Sequence, residues 1–207
     1  MDEWNKKRNV MHHYNRIARV YDIQYGDEQK TKIEATLENV SLNKNDFVLD
    51  TGCGTGFLFP YIADKVQFLV GIDISQNLLK KAKTHKKRYP NTDVLLADAD
   101  HLPFQNQTFH TIFVITLLQN IPKPSTTLQE IARVSKNHAT IAVTGLKKEF
   151  TNDSFLKLLK DAKLRIRKLE IDNHSKDYIA ICSQSISNFE NASASRVSGR
   201  RASMHTF

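Results

Sequence analysis

The fold is decided by the stretch Phe47-Val48-Leu49-Asp50-Thr51-Gly52-Cys53-Gly54-Thr55-Gly56. A short apolar strand runs here into an acidic residue and then into three alternating glycines. Because glycine has no Cβ atom, it tolerates the positive φ angles of a tight strand-to-helix turn and lets a ligand approach the backbone closely. The stretch therefore predicts a turn that binds a nucleotide cofactor.

A second strand supports this interpretation, since a glycine-rich turn alone also serves ordinary loops. The apolar run at 68–74 ends around Asp73, and this acid follows Gly52 by about 20 residues, the spacing typical of a βαβ unit that binds a nucleotide. At that spacing the carboxylate reaches the ribose hydroxyls of the cofactor. The two strands and the turn together predict the first half of a nucleotide-binding fold.

The glycine spacing and Asp50 distinguish between cofactors. Dinucleotide-binding domains typically carry G-x-G-x-x-G and place a pyrophosphate at the helix N-terminus. This chain has G-x-G-x-G with Asp50 directly before the turn. A carboxylate there would repel a pyrophosphate but would attract a cofactor with an ammonium group and a sulfonium. The residues therefore favour S-adenosylmethionine over NAD.

With these features the chain resembles the class I S-adenosylmethionine-dependent methyltransferases, particularly the small group that contains the ubiquinone and menaquinone biosynthesis methyltransferases. Four blocks carry the resemblance, in the order typical of that family: 48–56, 70–75, 96–104 and 109–116. The resemblance covers most of the chain. It implies an α/β, Rossmann-like, doubly wound and mostly parallel seven-stranded sheet with helices on both faces and an antiparallel edge strand.

The resemblance also implies roles for residues. In the family the glycine loop contacts the methionine part of the cofactor, the acid after the second strand binds ribose, and the acid after the third strand contacts adenine. These roles fall on the glycine turn, on Asp73, and on Asp98 with Ala99. The complete set of expected cofactor-binding residues is Asp50, Gly52, Cys53, Gly54, Gly56, Asp73, Ile74, Asp98, Ala99, Thr116 and Tyr21.

The N-terminal segment 12–22 resembles the family's opening motif, Tyr-x-x-x-Ala-x-x-Tyr-Asp, which folds over the cofactor as a lid. Tyr14 and Tyr21 are seven residues apart and would share one face of a continuous helix, although a plain amphipathic helix gives the same spacing. We expect helices at about 3–20 and 27–40, and we interpret residues 1–42 as an N-terminal helical lid. Tyr14 or Tyr21 would then close over the methionine end and exclude water.

Helical patterns alternate with short β-branched runs after residue 43, which predicts a parallel sheet covered on both faces. The predicted strands are 47–50, 68–73, 93–97, 110–116, 139–144, 164–171 and 178–183, and the predicted helices are 56–65, 75–88, 125–136 and 152–163. The core is expected to span 43–185. Residues 186–207, rich in Ser, Asn, Ala and Arg with few apolar anchors, are predicted to form a disordered tail.

One turn departs from the family pattern. Where the family carries Pro-Gly-Gly before its fifth strand, this chain has Ser135-Lys136-Asn137-His138-Ala139. Asparagine is among the few residues that adopt the left-handed backbone conformation readily. We therefore expect Asn137 to take the place of glycine.

No residue is assigned as catalytic, because methyl transfer to an activated carbon mainly needs alignment and exclusion of water. Amine methyltransferases often carry Asn/Asp-Pro-Pro-Tyr after the fourth strand, and the segment 116–122 here departs from it, which argues against methylation of a nucleobase amine or glutamine. Gln119 and Asn120 could orient an acceptor or merely open a turn. Similarly, His12, His13 and His101 are candidate general bases or ordinary surface histidines.

The composition fits one soluble intracellular domain of 207 residues. No apolar run approaches the roughly 20 residues that cross a bilayer, and no signal sequence opens the chain, so we expect a cytoplasmic protein without a membrane span. Cys53 and Cys182 are too few and too far apart for a disulfide scaffold or a metal cluster, so no metal site is expected. The oligomeric state is left open.

The net charge of +8 raises the possibility of a nucleic-acid partner. However, the basic residues concentrate in two separate segments, 80–88 and 163–168, where they are typical of solvated faces. Three functions stay open at this point. The first is a methyltransferase that acts on a small molecule, the second a methyltransferase that acts on RNA or protein, and the third a cofactor-binding protein of the same fold without methyltransferase activity.

Overall fold

The computed structural model describes residues 2–172 and 175–184. The predicted disordered tail at 186–207 lies outside the described residues. Within them, seven strands form one sheet in the order β3-β2-β1-β4-β5-β7-β6. The strands are β1 Phe47–Thr51, β2 Phe68–Asp73, β3 Thr92–Leu96, β4 Phe109–Val114, β5 Ser135–Leu146, β6 Leu164–Glu170 and β7 Asp177–Gln184.

The first five strands pair in parallel, whereas β7 lies antiparallel between β5 and the edge strand β6. Among the described residues, six α-helices accompany the sheet: α1 Glu3–Ile17, α2 Tyr21–Leu37, α3 Phe59–Ile62, α4 Gln76–Ala82, α5 Pro124–Val134 and α6 Asn152–Asp161. Short segments of 3₁₀ helix extend α3 and α4, at Ala63–Lys65 and Lys83–Lys87. This is the mostly parallel, doubly wound sheet that the alternating pattern predicts.

The core lies on both faces of the sheet, because neighbouring residues of each central strand point in opposite directions. Leu49 and Ile112 pack against Phe155 on one face. Val48 and Phe113 pack against Phe59 on the other. Burial on both faces explains why β1 and β4 are nearly continuous apolar runs. Because the two strands pair in parallel, their carboxyl ends lie on the same side of the molecule.

The N-terminal helices differ from the prediction. The helix expected at 3–20 ends at Ile17, and the next begins at Tyr21 instead of near residue 27. Ala18 and Tyr21 on either side of the turn are buried against Leu78, so tertiary packing bends the chain at a point where the sequence pattern stays helical. Tyr14 and Tyr21 therefore lie on two helices, and their rings meet edge to face with centroids 6.0 Å apart.

The predicted left-handed residue at Asn137 is also wrong. The positive φ falls on the next residue, His138, at 65°. β5 already begins at Ser135, which pairs with Phe109, and the register then shifts so that Thr140 pairs with Thr111. The extra residues of β5 therefore form an irregularity inside the strand. One left-handed residue, His138, is enough to make the bend.

Candidate functional site

A cavity of about 950 Å³, its open mouth included, lies at the carboxyl ends of the central strands. The sheet order changes direction between β1 and β4, and ligands of open α/β sheets bind at such a switch point. The two N-terminal helices cover the cavity through Lys7, Tyr14, Tyr21 and Gln29. Every predicted cofactor residue lines it except Gly56, and their roles in binding stay predictions.

The glycine turn has the backbone that its sequence predicts. Gly52, Gly54 and Gly56 have φ angles of 77°, 56° and 81°. A Cβ atom on Gly56 would lie 3.1 Å from His85 Cδ2 and 3.2 Å from Phe59 Cδ2. Gly56 therefore serves helix packing behind the turn, which is why it does not line the cavity.

Asp73 at the end of β2 is held in place by the turn itself. Its Oδ2 accepts a hydrogen bond of 2.9 Å from the Gly54 N–H, and its Oδ1 accepts one of 2.7 Å from the Ser75 N–H. Burial raises the pKa of Asp73, and the backbone hydrogen bonds from Ser75 and Gly54 oppose that shift. The carboxylate is thus oriented before any ligand binds, with lone pairs left for a pair of hydroxyls.

Asp50 at the end of β1 is a buried carboxyl, 4% exposed, with no hydrogen-bond partner among residues 2–172 and 175–184. Burial, followed by the negative charge of Asp73, raises the pKa of Asp50 from 3.8 to about 8. At neutral pH the carboxyl is therefore mostly protonated. A cation placed against it would favour the ionised form, which suits the ammonium group of an amino acid.

Asp98, after β3, contacts a lysine that the sequence did not single out. Lys7 of α1 lies 2.6 Å from Asp98 Oδ2 and 2.5 Å from Asp100 Oδ2. Although burial opposes the charge, the hydrogen bonds to Asp100 and Asp98 raise the pKa of Lys7. The two ends of this pair are 91 residues apart, and Lys7 is one of many lysines, so no local pattern could have revealed it.

A second contact fixes α1 on the sheet. Asn15 Oδ1 accepts hydrogen bonds from Ser75 Oγ at 2.8 Å and from the Asn77 N–H at 3.1 Å, where α4 begins. Tyr14 and Tyr21 line the cavity from above, and burial raises the pKa of both phenols. The N-terminal helices therefore cover the opening through polar contacts and through an aromatic wall.

Beyond β4, Thr116 is held in a polar network. It has a φ of 58°, and its Oγ1 accepts a hydrogen bond of 2.9 Å from Lys32 Nζ. The Thr116 hydroxyl in turn donates to Gln29 Oε1 at 3.2 Å. Lys32 also pairs with Asp177 Oδ2 at 2.9 Å. Of this group only Thr116 was predicted, because the others lie far away in sequence.

The structure separates the remaining candidates. Asn120 lines the cavity, and its Nδ2 donates to the Thr116 carbonyl at 3.0 Å. His12, His13 and His101 do not line the cavity. Over the described residues, no group of three or more His, Cys, Asp or Glu is placed to hold a metal ion. The helices of the same residues include none that is long and apolar enough to span a bilayer.

Comparisons with known proteins agree with this geometry. A family model described as a methyltransferase domain matches residues 49–143. A malonyl-[acyl-carrier protein] O-methyltransferase of Marinomonas sp. (strain MWYL1) is 30% identical over 132 residues, which are 63% of this chain and 48% of the relative. A demethylmenaquinone methyltransferase of Bacillus licheniformis is 29% identical over 140 residues, 64% of this chain and 60% of the relative.

The fold recurs in a solved structure. The magnesium protoporphyrin IX methyltransferase of Synechocystis PCC 6803, with bound S-adenosylmethionine, superposes with a TM-score of 0.69 at 18% identity, over 89% of this chain and 98% of that one. At this identity the similarity concerns the fold alone. The chain spans about half of the first curated relative and somewhat more of the second.

Proposed function

The chain belongs to the class I S-adenosylmethionine-dependent methyltransferases, and on that premise we propose that it transfers a methyl group from S-adenosylmethionine to a small-molecule acceptor by in-line displacement. The proposal rests on one observation. Asp98, Asp73, Asp50 and Thr116 lie at or just after the carboxyl ends of the adjacent strands β3, β2, β1 and β4, in that order, and all line one cavity. Three strand spacings of about 4.8 Å give a row of about 14 Å, which suits an extended adenosyl amino acid.

Each part of the cofactor has a partner along this row. Asp98 and Ala99 would contact adenine, and Asp73 would accept hydrogen bonds from the ribose hydroxyls. Asp50 would attract the ammonium group, and the backbone at Gly52, Cys53 and Gly54 would surround the methionine part. Ile74 and Tyr21 would add apolar contact, and Thr116 would lie at the methyl end. When it is bound, S-adenosylmethionine supplies the activated methyl group.

In the proposed reaction, a lone pair of the acceptor attacks the methyl carbon while the carbon–sulfur bond breaks. The electron pair stays on sulfur, and S-adenosylhomocysteine is the second product. The contribution of the chain is to align the acceptor and to exclude water. We assign that second task to residues 1–42 as a lid, because Lys7, Tyr14 and Tyr21 all line the cavity from the N-terminal helices.

A small-molecule acceptor is favoured by the relative named for demethylmenaquinone and by the cavity walls. The relatives are named for malonyl-[acyl-carrier protein] and demethylmenaquinone, and both are methyltransferases. Apolar side chains such as Ile33, Phe57 and Leu117 line much of the space. A modest acceptor with an apolar body would fit these walls.

An RNA or protein acceptor is a weaker alternative. It would be favoured by basic residues that form one continuous surface around the opening. The basic segment at 80–88 adjoins β3 at one end of the sheet, whereas the segment at 163–168 lies on β6 at the opposite edge. The two segments are therefore separated by the whole width of the sheet, which argues against such a surface.

A cofactor-binding protein without transferase activity would be favoured by a blocked cavity or a displaced lid. The cavity is not blocked, since it holds about 950 Å³ of space with its mouth included, and α1 is docked through Lys7 and Asn15, so neither feature supports it. The cytoplasmic location expected from the sequence stays a prediction.

Calorimetric titration with S-adenosylmethionine and S-adenosylhomocysteine, with NAD as the control, tests the proposal. Micromolar binding of both adenosyl ligands and none of NAD is expected. A screen of small acceptors with a radiolabelled methyl donor follows from that result. A preference for NAD, or failure of both adenosyl ligands to bind, would refute the cofactor assignment.

A further inference from the structure

The cavity extends past the cofactor row, beyond the end of β4, and this is where an acceptor must lie under the proposed function. Gln29 of α2 lines this end together with Thr116. Gln29 is 7% exposed, and Lys32, one helical turn further along α2, is 6% exposed. Neither residue belongs to the cofactor row, so the acceptor end has a polar network of its own.

Hydrogen-bond directions in this network follow from chemistry. The Lys32 ammonium has only donors, so the Thr116 hydroxyl must accept from it at 2.9 Å. The hydroxyl proton of Thr116 is then free to go to Gln29, 3.2 Å away. Gln29 faces Thr116 with its carbonyl oxygen, Oε1, which accepts this hydrogen bond.

A buried ion pair holds this arrangement. Lys32 Nζ lies 2.9 Å from Asp177 Oδ2, and the Asp177 residue is 2% exposed. Glu28 Oε1 lies 3.8 Å from the same ammonium. With acceptors in three directions, the ammonium cannot turn away from Thr116 without leaving a buried carboxylate unpaired, which is costly.

The free end of Gln29 is therefore Nε2, a donor. Within the part of the chain that the structure describes, the side-chain hydrogen bond of Gln29 involves Oε1, and Nε2 makes none. We propose that Gln29 Nε2 binds the acceptor and that the acceptor presents an oxygen there, as a carboxylate or an acidic phenol or enol does. This rests on the proposed function and narrows its substrate class.

The chemistry of such an acceptor fits the cavity. One lone pair of the acceptor oxygen, or of the second oxygen of the same carboxylate, accepts the hydrogen bond from Gln29. Another lone pair of the acceptor attacks the methyl carbon. The carbon–sulfur bond breaks in the same step, and its electron pair moves to sulfur. A carboxylate or acidic phenol is already ionised near neutral pH and needs no base. Among the described residues, no histidine lines the cavity. The neighbouring Asn120 Oδ1 would suit an amine instead, so an amine is the competitor to test.

The test uses benzoate and benzylamine as probes, titrated into the full-length protein saturated with S-adenosylhomocysteine. Benzoate is expected to bind at least about tenfold more tightly than benzylamine, the ratio typical of one hydrogen bond to a charged group. Gln29→Glu replaces the donor by an acceptor and should reverse the preference. Gln24→Glu, the same change at an exposed position of the same helix, should leave it unaltered.

Gln29→Leu provides a second variant if Gln29→Glu melts early. It should lose benzoate binding without gaining benzylamine binding, while its affinity for S-adenosylhomocysteine stays unchanged. A preference for benzylamine in the unaltered protein, binding of neither probe, or the same preference in all variants would overturn the inference. Failure to bind S-adenosylhomocysteine would instead remove the proposed function on which it rests.

Discussion

Asp50→Asn is expected to weaken cofactor binding and, at the same time, to stabilise the free protein at alkaline pH. The reason is the buried carboxyl at the end of β1, whose pKa is raised by burial and by Asp73 to about 8. The ammonium group of the cofactor would require the ionised form. Binding would therefore have to remove a proton from Asp50 at neutral pH.

The magnitude follows from the pKa. With a value of about 8, roughly 1% of Asp50 is ionised at pH 6 and roughly a quarter at pH 7.5. The affinity for S-adenosylhomocysteine should then rise about 25-fold between these two pH values. Asparagine cannot ionise, so Asp50→Asn should lose this slope, and the difference between the two proteins isolates Asp50 from other titrating groups.

The stability of the free protein should respond to pH in the opposite sense: as the pH rises, cofactor affinity increases and the free energy of unfolding decreases. Because the pKa of Asp50 is raised in the folded state, the folded protein binds more protons than the unfolded chain between about pH 4 and pH 8. Its stability falls as the pH rises through that window, by at most about 6 kcal/mol, and the loss is complete above pH 8. Asp50→Asn removes this loss, so the variant should unfold at higher urea concentration at pH 8.5 and at a similar one at pH 5.

Titration calorimetry at pH 6 and pH 7.5, with urea denaturation of the free proteins, would measure both effects. Equal pH dependence of binding in the two proteins would show that Asp50 is not the partner of the ammonium group. A variant that is less stable at pH 8.5 than the original protein would contradict the claim that ionisation of the buried Asp50 carboxyl destabilises the fold.

Three further changes test the cofactor row and the lid. Asp73→Ala should weaken binding of S-adenosylhomocysteine by about 1–3 kcal/mol, because a buried charged acceptor is lost; an unchanged calorimetric affinity would remove the ribose assignment. Lys7→Met leaves two carboxylates without their cation and should lower the free energy of unfolding by about 1–3 kcal/mol in urea, whereas Lys6→Met, at an exposed position, should change it little. Deletion of residues 1–20 should reduce cofactor affinity or turnover more than deletion of 190–207, and equal effects in the two truncated proteins would argue against a lid.

The part of the site that could be predicted is encoded locally. Asp50 and Asp73 stand at the ends of apolar runs, and Asp98 follows the next one. The carboxyl ends of parallel strands meet at one edge of a sheet, so these acids had to converge. The positive φ angles of the glycine turn are likewise a property of a few consecutive residues. The periodicity of the strands and the chemistry of the turn were therefore enough to predict that these acids would line one cavity.

The bend between α1 and α2 was not predictable in this way. Both sides of it carry helical patterns, and no glycine or proline lies at residues 18–20. The bend forms because Ala18 and Tyr21 bury themselves against Leu78 of α4. His138 is a similar case, since the register between β4 and β5 decides which residue of the bend becomes left-handed.

Ion pairs between residues that are far apart in the chain also could not be predicted from the sequence. Lys32 and Asp177 form a buried pair at 2.9 Å, although 145 positions of the chain separate them. Lysine and arginine together number 30, and nothing in the pattern of α2 marks Lys32 as buried. The acceptor end of the cavity depends on this pair, so the sequence could predict the cofactor but could not predict the polarity of the acceptor site.

Lys7 also forms a long-range ion pair that the sequence did not predict, at the opposite end of the cavity. Its partner Asp98 is the carboxylate that would also bind adenine. Asp98 Oδ1 accepts from the Asp100 N–H at 3.0 Å, and Oδ2 accepts from Lys7. A carboxylate has about four lone-pair positions, so an adenine amine can bind Asp98 while Lys7 stays in place. Lys7 ties α1 to the sheet through Asp98, and under the proposed function it would orient the same carboxylate for adenine. Cofactor binding and docking of the N-terminal helices should therefore strengthen each other, since each depends on the same orientation of one carboxylate.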